Sequence, residues 1–170
     1  MPKTVLTYRK EDIKKLLSEV MDPEIPVLSI VDLGILRKVL VEGQKVMVRI
    51  TPTYSGCPAM HAIENEIAKT LQLNGIHEFD IQTDFSETWT TDWIPDEAKQ
   101  KLKDYGIAPP GKSESDEDFL NNITGKSAAV ACPYCNSSDT ELQSEFGSTP
   151  CKAQYYCHDC HEPFEHFKCI

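Results

Sequence analysis

Two cysteine pairs near the C-terminus, Cys132-Pro-Tyr-Cys135 and Cys157-His-Asp-Cys160, each put two thiols on one tight turn, where both can reach a single metal. A structural Zn²⁺ takes four soft ligands in a tetrahedron, and each C-x2-C turn supplies two. About twenty-one residues separate the pairs, close to the ribbon spacing of roughly 15–20. Two disulfides are the alternative, but seven cysteines is an odd number and leaves a thiol over. Cys151, His158, His161, His166 and Cys169 compete for ligand roles, and a site made of Cys132, Cys135, Cys157 and Cys160 is the simplest choice.

A separate thiol, Cys57, stands in Thr51-Pro-Thr-Tyr-Ser-Gly-Cys57-Pro58, where a strand is expected to end and a helix to begin. Unsatisfied backbone N–H groups and the helix dipole favour the thiolate there, the form that attacks electrophiles and binds iron. Gly56 can take positive φ just before it. Spacing alone accounts equally well for Cys57 as a small buried hydrophobe. As a nucleophile it lacks an identifiable base, since His61 lies one helical turn along and His77 beyond the helix end.

Charge and length bound the partners. The formal charge of −10 disfavours nucleic acid, which draws on a surplus of lysine and arginine. Tyr8, Arg9, Lys10, Glu11 and Asp12 follow the start closely, so no apolar signal region is expected. No apolar run approaches the roughly 18–20 residues of a membrane helix. We therefore expect a reducing, cytoplasmic setting, in which paired cysteines bind metal. A ribbon of about forty residues buries too little apolar surface to fold unaided, and zinc supplies the difference.

The elements that must position these thiols read as an α+β domain in the order α-β-β-α-β-α, a small mixed sheet with flanking helices, followed by a zinc-ribbon module. Ile13, Leu16, Leu17 and Val20 repeat at helical spacing, ended by Pro23 and Pro26. Met21 to Gly34 is a long loop with apolar inserts, either lying over something or a plain connector. Strands Ile35–Val41 and Lys45–Thr51 form a hairpin across Glu42-Gly43-Gln44. A helix from about Pro58 to Leu73 carries Met60, Ile63, Ile67 and Leu71 inward. Phe79, Ile81, Thr83 and Phe85 alternate as a third strand, and a last helix runs from Pro95 to Gly106. Residues 1–108 are thus the first domain, 109–128 an acidic linker, and 129–170 the ribbon. Tyr134, Phe146, Tyr155, Tyr156, Phe164 and Phe167 are many aromatics for so small a module, serving either its core or an interface.

Asp22-Pro-Glu24-Ile-Pro26, Val31-Asp32-Leu33-Gly34-Ile35 and Thr53-Tyr-Ser-Gly56-Cys57-Pro58 together resemble the metal-sulfur cluster assembly domain family, over about the first 107 residues. Phe146-Gly-Ser-Thr-Pro-Cys151 through Cys157, then Cys160 to Cys169, resembles the PaaD (PaaJ) family encoded with phenylacetyl-coenzyme A epoxidase. The resemblance implies an accessory role in phenylacetate breakdown rather than catalysis. It implies assembly or delivery of an iron-sulfur cluster or iron to the multicomponent monooxygenase, above all to its reductase. Cys57 is then the cluster or iron ligand, with Asp22 and Glu24 in the associated motif and a transient cluster shared with a partner or a second copy in a homodimer. A structural subunit of the oxygenase and a Cys57 thiol enzyme are the alternatives.

Overall fold

The structure is a computed structural model that describes residues 8–54, 56–111 and 129–168. From residue 112 onward the expected linker lies outside the described residues, as does Cys169. The chain divides into two compact units, Met1–Trp89 and Thr90–Ile170. Each has its own sheet.

In the first unit, α1 (Lys10–Leu17) leads into the hairpin β1 (Leu36–Glu42) and β2 (Lys45–Ile50), then α2 (Ala59–Leu73) and β3 (Phe79–Thr83). The strands pair in the order β1-β2-β3, antiparallel then parallel, so α2 is the crossover between two parallel strands. Alternation puts Val46, Val48 and Ile50 on the buried face of β2, and α2 lays down Ala59, Ile63, Ile67 and Leu71 at four-residue spacing. Ala59 replaces the expected Met60 in that stripe because 59, 63, 67 and 71 share one side of the helix. α1 ends at Leu17, ahead of the prolines, and Val20 is buried beyond its end. β3 stops at Thr83, where β2 also stops, and Phe85, expected within it, is exposed. The chain turns there as Asp84 takes the Ser86 N–H at 2.8 Å.

The segment from Met21 to Gly34 is part of the core. Ile25, Leu28, Ile30 and Leu33 are all buried. Its backbone groups are satisfied locally: Asp22 N–H donates to Leu28 O at 2.9 Å and Ile30 N–H to Val20 O at 2.9 Å. Ser29 and Asp32 exchange backbone-to-side-chain hydrogen bonds of 3.0 and 3.1 Å. Gly34 takes φ +68°, and Trp89 closes the loop by donating Nε1–H to Leu33 O at 2.7 Å.

The second unit contains more than the ribbon. α3 (Asp96–Asp104) and the two-residue β4 (Ile107–Ala108), which the sequence places with the first domain, group with β5 (Thr140–Ser144), β6 (Lys152–Cys157) and β7 (Pro163–Phe167). The reason is pairing: β4 runs parallel to β7, giving a four-stranded sheet in the order β4-β7-β6-β5. Tyr155, Phe164 and Phe167 are buried in this unit, whereas Tyr134 and Phe146 are exposed.

Candidate metal centre and the Cys57 turn

The two C-x2-C turns meet. Cys132, Cys135, Cys157 and Cys160 hold their sulfurs within 4.8 Å of one another, and among the described residues they are the one such ligand group. Across the turns, Cys132 Sγ lies 3.6 Å from Cys160 Sγ and Cys135 Sγ 3.5 Å from Cys157 Sγ. A disulfide needs about 2.05 Å, so these thiols are not bonded. A metal with sulfurs at about 2.3 Å gives tetrahedral edges of about 3.8 Å. The spacing therefore fits one ion at the centre.

Local backbone prepares the sulfurs. N–H groups of Cys160 and Asp159 point at Cys157 Sγ and bring that thiol down to about 7. The Glu162 N–H acts the same way on Cys160, but burial and the thiols of Cys157, Cys135 and Cys132 outweigh it and push Cys160 up to about 12. Four thiols this close cannot all ionise by themselves. A dication removes the conflict, so the donor set fits a resident metal.

The competing ligands among the described residues, His158, His161, His166 and Cys151, are engaged elsewhere. His158 Nε2 lies 3.5 Å from Glu141 Oε2, His161 Nδ1 3.3 Å from the Tyr156 hydroxyl, and His166 Nδ1 3.2 Å from Ala108 O. Cys151 is buried with its sulfur 3.1 Å from Thr149 Oγ1. The first turn also reaches α3. The Tyr134 hydroxyl lies 2.6 Å from where a Cβ on Gly106 would stand, and Lys103 Nζ donates to Asn136 Oδ1 at 2.5 Å.

Cys57 is half-buried on the turn between β2 and α2. The sequence places it at the helix cap. The helix instead begins at Ala59 with Pro58 as its cap, so Cys57 lies one residue outside, donating N–H to Tyr54 O and accepting from Met60 N–H. Gly56 has φ +79°, and a Cβ there would meet nothing within 4 Å, so the turn is open on that side. His61 is 93 % exposed, with Nδ1 3.7 Å from Glu64 Oε2.

Asp22 has a structural task that its motif does not disclose. It is 6 % exposed, and Oδ1 accepts the N–H groups of Glu24 and Ile25, both at 2.8 Å. Glu24 is half-buried on the same turn. Asp22→Ala is expected to cost about 2 kcal/mol by stranding those two donors, and Asp22→Asn, which keeps an acceptor, much less. Denaturant unfolding of the two variants measures the difference, and equal losses would contradict this role.

Comparison with known proteins agrees with both halves. Residues 10–82 match the family model described as iron-sulfur cluster assembly protein, and residues 116–168 match the PaaD zinc beta ribbon domain. An Escherichia coli protein described as one of the subunits of 1,2-phenylacetyl-CoA epoxidase is 41% identical over 98% of this chain and 97% of its own length. An Fe-S protein maturation auxiliary factor of Porphyromonas gingivalis is 35% identical over 55% of this chain and 90% of its own. The crystal structure of a domain of unknown function (DUF59) from Bacillus anthracis superposes with TM-score 0.52 at 25% identity, covering 55% of this chain and 90% of that one.

Proposed function

Because the chain belongs to the PaaD family of 1,2-phenylacetyl-CoA epoxidase subunits, we propose that it is an accessory component of that multicomponent monooxygenase, assembling or delivering an iron-sulfur cluster to the reductase. The cluster is its cargo. The observation that carries the reading is Cys57, half-exposed on a turn left open by Gly56, in a domain of the iron-sulfur assembly type.

One cysteine cannot hold a cluster that takes four protein ligands. The others come from the receiving component or from a second copy of this chain meeting the first at Cys57. A site completed by a partner releases its cargo when the partner leaves. Asp22, fixed in its turn by two backbone donors, holds the loop, and Glu24 is the labile carboxylate of the pair. In the second unit, Cys132, Cys135, Cys157 and Cys160 hold a resident Zn²⁺ that keeps the ribbon folded.

The test is the iron and sulfide content of the reductase component expressed alone, with the native chain, and with Cys57→Ala. Full cluster content is expected only with the native chain. Equal content in all three would end the delivery reading, and fixed-ratio copurification with the oxygenase alone would favour a structural subunit.

A further inference from the structure

The metal turns are joined by more than a metal. Ser137, two residues past Cys135, donates its hydroxyl to Asp159 Oδ2, inside the other turn. Both residues also touch ligand sulfurs through their backbones: the Ser137 N–H points at Cys135 Sγ and the Asp159 N–H at Cys157 Sγ. Ser137 further fixes the first turn by accepting the Cys132 N–H at 2.9 Å, and its hydroxyl is oriented by the Asp139 N–H at 3.0 Å.

The geometry points to Ser137 and Asp159 as a retention bridge that slows loss of the ribbon metal. This role rests on the reading that the four cysteines hold a resident zinc ion. A site built from two turns loses its metal when one turn swings away from the other. The two ligands that the bridge residues support, Cys135 and Cys157, face each other at 3.5 Å, so the bridge runs along that edge of the tetrahedron. It is also the vulnerable edge: Cys135 is the exposed ligand, while Cys132 and Cys157 are fully buried. Cys160 is only partly exposed, so a competing chelator reaches Cys135 first, and opening there stretches the Ser137–Asp159 hydrogen bond. Both residues act through the ligands and are positioning residues. Partners outside the ligand set commonly change metal affinity by about 10–100-fold.

The experiment loads the full chain with Co²⁺ and follows loss of its thiolate charge-transfer band to excess chelator. Ser137→Ala and Asp159→Ala are each expected to release the metal about tenfold faster. The double variant should be no faster than either single, because both remove one hydrogen bond. Ser137→Thr, which keeps a hydroxyl, should restore a near-native rate. The starting band should be the same in all, since the four sulfurs remain. Native release rates in both single variants, or a multiplied effect in the double, would overturn the bridge. Absence of the band in the native chain would overturn the zinc reading and the bridge with it, which separates the two failures.

Discussion

Removing the ribbon metal is expected to unfold the second unit as far as α3 and β4 while the first unit stays folded. Of the six buried residues that form this unit's central cluster, Ala108, Cys132, Ala153, Tyr155, Cys157 and Phe164, two belong to the four-cysteine group. The core is built on the site itself. Structural zinc contributes about 10–16 kcal/mol in small modules, as much as the whole stability of a typical domain, about 5–15 kcal/mol. The loss should spread because Tyr134 sits on Gly106, Asn136 holds Lys103, and β4 pairs with β7 at the edge of the described sheet. Hydrogen exchange with and without chelator reads this directly. Amides of β4, β6 and β7 should lose protection together while β1 and β2 keep theirs. Retained protection in β4 would mean that the segment holds without the metal.

Lys152→Ala should be strongly destabilising although it lies away from the four cysteines, costing about 3–5 kcal/mol. Lys152 is 4 % exposed, and its Nζ lies 2.9 Å from Glu165 Oε2, while Glu165 Oε1 takes the Ser148 N–H at 2.7 Å. Losing the lysine leaves a partly buried carboxylate with half its support. Replacing both partners by apolar residues of similar size, as in Lys152→Met with Glu165→Leu, should recover most of the loss. Burial raises the Glu165 carboxyl, but the Ser148 N–H and Lys152 together hold it below its ordinary value of 4.5. A depressed carboxyl contributes stability above its unfolded value, and that contribution is lost as pH falls through the folded one. The gap between native chain and Lys152→Ala should therefore narrow in acid. Chemical unfolding at neutral pH and below pH 4.5 measures it, and a gap that widens would contradict the pairing.

Much of the architecture was legible because its causes are local. A C-x2-C turn brings two sulfurs together wherever it occurs, so the four cysteines that gather could be read directly, and hydropathy periods marked α1, β1, β2 and α2. Small displacements, such as Ala59 for Met60 and β3 ending before Phe85, arose where the pattern alone does not say which neighbour a side chain meets. Asp22 carried an incomplete signal. A carboxylate in a motif can bind metal or tie a turn, and only the structure shows the two backbone donors by which it ties this one.

By itself the sequence determined which four cysteines form the two metal-type turns and the α+β order of the elements, since each turn and each hydropathy period spans residues a few positions apart. Tertiary structure alone decided that α3 and β4 join the ribbon and that Lys152 is buried against Glu165. It also decided that Ser137 reaches Asp159. Those partners lie far apart along the chain, and contacts at that separation follow from how the whole strand register closes, which no local spacing encodes.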